Sequence, residues 1–344
     1  MLSKNWANLF LALCCCFFCY QTFNAQKEPL IIEQNEAPMS SSSSELEFIR
    51  PYMGHLPPDY LTVPEYNLTA CTYRKSMSQM TTNAMCLLYD PKRFLSENHS
   101  FNETWKSKRS CKAADKNGFG GFPENLQNTS RYTRFVFIRD PFDRFISFYL
   151  DKCLHEKRCY NCEPEDLRCV VKEVYESLLK ISRGEQALLT KMLNSSSYMD
   201  IHATPTSWVC DFQQFRNVYY IMVIGSSFDE RKEPISKFVE ILRRKNVPEV
   251  YISKIEGNLL TSETHHSTHN SEMRKIAEEK VKNDKIIRDY LHKIYFYDYL
   301  VFPEFDRAHL DAPYNMSNSS FDEKYRKDYE SLIKSQEFLS KLKN

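Results

Sequence analysis

The chain has 344 residues, which suits one large domain or one domain with extensions, and its 23 Phe and 21 Tyr belong to a globular protein with a sizeable core. Such a composition excludes a wholly disordered chain. The net charge of +1 designates no partner by itself, and no nucleic acid is expected.

The amino end does not read as part of that core. After Lys4, residues 6–20 run WANLFLALCCCFFCY, and no charge appears before Lys27. The run is short for a membrane span but suits a signal segment or a brief anchor. Ala25 fits a cleavage site, but Phe23 two positions earlier fits it poorly. Residues 1–25 are therefore expected as a short cytoplasmic tail and an uncleaved signal-anchor, with a cleaved signal peptide and a secreted chain as the alternative. A buried core helix is disfavoured, because nothing amphipathic surrounds the run.

Two further signals place the rest in an oxidising, glycosylating compartment. Seven N-x-[S/T] sequons occur, at Asn67, Asn98, Asn102, Asn128, Asn194, Asn315 and Asn318. Outside the apolar leader lie eight cysteines, an even number, as disulfide bonding requires. Their pairing cannot be deduced from sequence. Cys153, Cys159, Cys162 and Cys169 can also be read as a zinc cluster, but they contain a single C-x2-C pair, so no metal site is expected.

Residues 26–60 are polar and rich in Ser and Pro, with EAPMSSSSSELE and HLPPDY, and are expected as a flexible stem. The folded domain is expected over 61–310, followed by a polar helical tail over 311–344. LTACTY (68–73) is a short β-prone run. It leads into the polar loop Arg74-Lys75-Ser76-Met77-Ser78-Gln79 and then an apolar helix. Strand, loop and helix with a lysine and hydroxyls is the plan of a phosphate-binding loop, although it lacks glycine and the Walker pattern. The alternative is an ordinary capped helix with a solvent-facing lysine. WKSKRSCKAADK (105–116) carries Lys106, Lys108, Arg109, Lys112 and Lys116. It is a candidate contact for an acidic polymer, against the plainer reading of a solvated loop. Trp105 and Trp208 can stack on sugar rings, but core burial is the ordinary fate of each.

TRFVFIRD (133–140) and VYYIMVIG (218–225) are continuous apolar runs, which suit strands buried on both faces. Asp140-Pro141-Phe142-Asp143 is a helix start: Asp140 caps, Pro141 takes the first helical position, and Asp143 places a carboxylate in the first turn. Arg139 then stands at the carboxyl end of a central strand, the edge where open α/β sheets bind ligands. Arg144 and Ser147, three residues apart, share one helical face. A guanidinium beside a hydroxyl and free helix-end amides makes a phosphate site. An Arg139 clasp to Asp140 or Asp143 is the structural alternative. Ile235, Phe238, Val239, Ile241 and Leu242 recur at helical spacing, as do Ile276, Ile287, Tyr290, Leu291 and Ile294 with a break near Asn283. Strands alternating with helices predict an α/β sandwich.

Taken together, KSMSQ and FIRDPFDRFISFYLDK resemble the 5′-phosphosulfate and 3′-phosphate loops of the Golgi carbohydrate sulfotransferases, in particular the chondroitin 4-O-/HNK-1 type and nematode-like relatives. The pattern R-x-P-F-x-R-x-x-S-x-Y-x-x-K is met by Arg139, Pro141, Phe142, Arg144, Ser147, Tyr149 and Lys152. DIHATPTSWVCDF (200–212) and YFYDYLVF (295–302) are similar to two later segments of the family. The resemblance implies a P-loop NTPase-like fold, with a mainly parallel central sheet flanked by helices. It implies transfer of a sulfuryl group from 3′-phosphoadenosine 5′-phosphosulfate (PAPS) to a glycan hydroxyl, N-acetylgalactosamine of chondroitin above all, without a metal. It also implies a type II Golgi membrane location with a lumenal catalytic domain. By motif, Lys75 would contact the 5′-phosphate and bridging oxygen. Arg74 and residues Ser76, Met77, Ser78 and Gln79 would cradle that end, and Arg139, Arg144 and Ser147 would bind the 3′-phosphate. His202 is the expected base, with His265, His266 and His269 as rivals. Two positions depart from the family: Met77 stands where it has a small residue, and Gln79 where it has threonine. A catalytically inactive glycan-binding relative is the alternative, and a P-loop nucleotide kinase a more distant one.

Overall fold

The computed structural model describes residues 46–52, 59–103, 111, 132–185, 195–262 and 271–305, with isolated positions of a helical stretch between 323 and 334. The apolar leader, most of the expected stem, the basic stretch 105–116 apart from Cys111, the three rival histidines and most of the expected tail lie outside the described residues. Among the described residues, no helix is long and apolar enough to cross a membrane.

Among the described residues, four strands form one sheet in the order β1-β2-β3-β4. They are β1 (Asp59–Val63), β2 (Leu68–Thr72), β3 (Thr133–Ile138) and β4 (Tyr219–Val223). β1 runs antiparallel to β2, with Leu61 opposite Ala70, while β2/β3 and β3/β4 are parallel, with Ala70 opposite Phe135 and Phe135 opposite Tyr220. The sheet is thus mixed, and its parallel part contains the three runs read from sequence. β1 was not among them. Its five residues fall in the stretch expected as stem and at the start of the expected domain.

The continuous apolar character of β3 has a direct cause. Val136 and Ile138 point into one core, and Phe135 and Phe137 into the other. With side chains alternating across the sheet, burial of both faces demands apolar residues at every position. One core is completed by α1 (Ser78–Tyr89), α7 (Phe228–Arg244) and α8 (Glu249–Thr261). The other is completed by α3 (Pro141–Phe148), α4 (Leu167–Ser182) and α10 (Lys285–Val301). The remaining helices in chain order are α2 (Pro91–Ser96), α5 (Ser195–Ala203), the short α6 (Phe212–Phe215) and α9 (Glu272–Asn283). The expected apolar stripe of α7 is buried throughout, and the expected break falls at Asp284, which caps α10. One residue of the second stripe differs. Ile276 is 41 % exposed, and α9 instead buries Arg274, Ala277 and Val281. Trp208 is buried and packs on Tyr52, so it is a core residue.

Residues 46–52, also within the expected stem, lie on the domain. Ile49 is buried and its N–H donates to the Lys293 carbonyl, while Phe48 packs on Phe296 at 4.4 Å. Disulfides join Cys71 to Cys210, Cys86 to Cys111 and Cys162 to Cys169. Cys153 and Cys159 are buried thiols, so the four-cysteine cluster is one disulfide and two thiols rather than a tetrahedral metal site. Of the sequons within the described residues, Asn98 and Asn102 are exposed, and Asn67 is half-buried at the β1–β2 turn.

One buried group makes the fold acid-sensitive. His292 on α10 lies against Phe48 and Phe296, and burial pulls its imidazole down from 6.5 to about 4. Between these two values the unfolded chain holds more protons, so stability is present above the higher value and is lost as pH falls toward the lower. Urea unfolding at pH 7 and pH 5 should show His292→Phe relieving ~2 kcal/mol of the loss.

Candidate active site

Two strand-to-helix connections meet at the carboxyl ends of β2 and β3. The first is residues 73–77. Lys75 (φ 67°) and Met77 (φ 61°) both take the left-handed conformation, so the backbone turns sharply and α1 begins at Ser78 with no side chain capping it. Amides at an uncapped helix start behind a left-handed turn form a concave anion-binding surface. The place of Met77 explains why a small residue suits it, since a Cβ is strained there. Met77→Gly should raise stability by up to about 1 kcal/mol, read from the urea midpoint.

The second connection follows β3. Asp140 caps α3 by accepting from Phe142 N at 2.9 Å and Asp143 N at 3.2 Å, and Pro141 occupies the first helical position. The start read from sequence is the start observed. The Asp140 carboxylate also accepts from Tyr299 OH at 2.9 Å, and Asp143 accepts from Ser226 Oγ and from Arg274. Both acids are therefore engaged, and the clasp to Arg139 does not form. Arg139 is 9 % exposed, and its Nε has no hydrogen-bond partner among the described residues. Burial pulls its guanidinium down to about 10; Asp143 opposes this, and Arg274 and Arg231 reinforce it. A buried guanidinium among two other arginines is a socket for an anion.

Arg144, expected beside it, has its terminal nitrogens engaged by the chain itself. It is fully buried, donates to the carbonyls of His202 and Thr204, and lies between the rings of Tyr73 and Tyr295, each 5.6 Å away. Its role is to brace the segment that carries His202. Ser147, three residues on, is buried on α3.

Lys75 lies close to these groups. Its side chain is 9 % exposed and its Nζ is 2.9 Å from Asp151 Oδ2. Burial pushes the ammonium down, Asp151 pushes it up, and Lys152 and Arg139 push it down again. Lys75 and Arg139, from separate loops, are thus near enough to feel each other's charge. Burial works against the Asp151 carboxylate, but Lys75 and Lys152 more than offset it and hold it well below the usual range. Asp151 was missed in the sequence. It lies four residues past Ser147 and beside the matched Lys152, in a π-helical continuation of α3 over Tyr149–His155. π-Helical turns are frequent at functional sites.

His202, near the end of α5, joins the same group. Its Nδ1–H donates to the Tyr198 carbonyl at 2.7 Å, and its ring lies 4.6 Å from that of Tyr198. A carbonyl only accepts, so the proton is on Nδ1 and the Nε2 lone pair is left for a base. Burial holds the imidazole well below its ordinary value, Arg74, Lys152 and Lys75 add to this, and the Tyr198 hydrogen bond opposes it. It is neutral near neutral pH. Ser76 is buried, and Arg74, Met77, Ser78 and Gln79 are half-buried along the first loop.

α10 ties the segments together. Asp298 accepts from the amides of Thr206 and Ser207, both at 2.7 Å, Tyr295 OH donates to the Ala203 carbonyl, and Tyr299 holds Asp140. The segments 200–212 and 295–302 are therefore internal struts that set the positions of His202 and the second loop.

The arrangement suits a ligand with anionic groups at two ends and a proton-accepting step beside one of them. A model of the family described as "Sulfotransferase family" matches residues 58–306. A carbohydrate sulfotransferase of Caenorhabditis elegans is 32% identical over 292 residues, covering 81% of this chain and 83% of that protein. An uncharacterized protein of the same species is 27% identical over 262 residues, covering 74% and 70%. No solved structure is significantly similar. With the family matched across both loops and the whole sheet, the chain belongs to the sulfotransferase family.

Proposed function

We propose that the chain is a PAPS-dependent carbohydrate O-sulfotransferase of the Golgi lumen. The observation that carries the reading is the meeting of Lys75 and Arg139, from two loops, with neutral His202 beside Lys75. PAPS has a phosphosulfate at one end and a 3′-phosphate at the other. The Lys75 loop, with Arg74, Ser76, Met77, Ser78 and Gln79, suits the first, and Arg139 with Ser147 suits the second. The buried, unpartnered Arg139 Nε fits a donor with a terminal phosphate.

The chemistry follows from the groups present. An acceptor oxygen bonds to sulfur as the bond from sulfur to the bridging oxygen breaks. The hydroxyl proton passes to His202 Nε2, and the Lys75 ammonium neutralises charge gathering on the departing phosphate. The glycan class is supported by the named relative. Chondroitin-type N-acetylgalactosamine is the leading acceptor on the resemblance of the two motifs. The lumenal location is supported by three disulfides and by exposed sequons at Asn98 and Asn102, with membrane attachment assigned to the leader.

The test is transfer from radiolabelled PAPS by the full chain to a panel of chondroitin, desulfated heparan and keratan acceptors, with disaccharide analysis of products. Transfer to N-acetylgalactosamine, inhibited by 3′-phosphoadenosine 5′-phosphate and not by ATP, is expected. Binding of the bisphosphate with no turnover on any acceptor would favour an inactive glycan-binding relative.

A further inference from the structure

Lys75 is held by a carboxylate that neither loop supplies. We propose that Asp151 is a positioning residue, the counter-ion that keeps the Lys75 ammonium charged and aimed at the donor. The inference rests on the sulfotransferase reading of the site and adds a residue to it.

The geometry is a continuous chain of contacts. Asp151 Oδ2 takes Lys75 Nζ at 2.9 Å and Lys152 Nζ at 3.0 Å. Lys152 is anchored in turn by Glu156 Oε1 at 2.7 Å. The other Glu156 oxygen accepts from Tyr198 OH at 2.8 Å, and the Tyr198 carbonyl accepts from His202. The segment that holds the donor-side lysine therefore also reaches the residue that orients the base.

The charges facing Lys75 show why a carboxylate is needed. Lys152 comes from the π-helical turn, Arg139 from the end of β3, and His202 from α5 as a neutral ring, which Arg74 also faces. Asp151 is the anion among them, and its side chain is 4 % exposed. A lysine covered by protein and ringed by cations gives up its proton readily. Without the proton it can neither neutralise nor protonate a departing phosphate. Asp151 opposes that loss, and it does so without touching the donor.

The experiment uses the full chain, with binding of 3′-phosphoadenosine 5′-phosphate and kcat/KM for transfer followed from pH 6 to pH 9. Removing the negative charge lowers the Lys75 pKa, so Asp151→Asn should shift the alkaline limb of both curves to lower pH by about one unit or more, a roughly tenfold loss at the upper end. Binding should return as the pH is lowered, and Asp151→Glu should keep the wild-type profile. Lys152→Gln should act in the opposite sense, because it removes a repelling cation and leaves Asp151 wholly to Lys75. That variant carries the test if Asp151→Asn does not fold. An Asp151→Asn limb coinciding with that of wild type, or a Lys152→Gln limb that stays or moves down, overturns the inference while wild-type binding preserves the reading of the site. Wild type that binds no bisphosphate overturns both.

Discussion

Lys75→Ala should lower kcat for sulfuryl transfer by about 10²–10³-fold, the cost of removing one preorganised charge from a transition state, while the chain still folds. Truncating one member of a buried ion pair ordinarily costs about 3–5 kcal/mol, because a charge is left uncompensated. Here Lys152 shares the same Asp151 oxygen, at 3.0 Å, so the carboxylate keeps a partner. Stability and activity should therefore separate. Thermal unfolding of the variant should remain cooperative and near wild type, and transfer should be lost. Lys75→Arg should not restore it: a planar fork on a longer stem does not place its charge where an ammonium does. Near-wild-type turnover in Lys75→Ala would remove the lysine from the chemistry altogether.

The second large effect concerns the disulfide Cys71–Cys210, which closes a separation of 139 residues. Loop-closure entropy assigns a cross-link of that span about 5 kcal/mol, against about 2.5 kcal/mol for a short one such as Cys162–Cys169. The Cys71→Ala/Cys210→Ala double variant should unfold ~10–15 °C below wild type, and loss of the short bridge should cost about half as much. Position makes the long bridge matter for function as well. Cys71 is in β2, four residues before Lys75, and Cys210 follows His202 in the segment braced by Arg144 and Asp298. Cutting it frees the donor-side loop and the base from a common anchor. Scanning calorimetry with transfer assays on the same samples reads both consequences.

Much of this was legible in the chain. Three strands announced themselves as apolar or β-prone runs, although burial on both faces explains the missing alternation in β3 and not in β4, an edge strand that leaves Tyr220 48 % exposed. The start of α3 announced itself because Asp140 and Pro141 suit so few other conformations. The lysine loop and Arg139 were legible for a related reason, being polar residues set where apolar strands end. Other features were not. β1 is five residues long, DYLTV, beside proline-rich chain, and becomes a strand by pairing with β2 rather than by its own preference. Ile276 fits a helical stripe by spacing but faces solvent, because packing rather than period decides which side of α9 is covered. Asp151 is silent in sequence, since its importance is a distance to a lysine 76 residues away.

The sequence by itself determined the chemical content of two loops and the strands and helices that carry them, because short-range sterics, capping and hydrophobic period act within a few residues. Only the tertiary structure decided which partners the two arginines of one motif meet. Arg144 places its two terminal nitrogens on carbonyls 58 and 60 residues away, whereas Arg139 stands at the end of β3 within the fields of Asp143, Arg274 and Arg231. A guanidinium is a ligand or a brace according to the acceptors that folding brings to it, and those acceptors belong to distant parts of the chain.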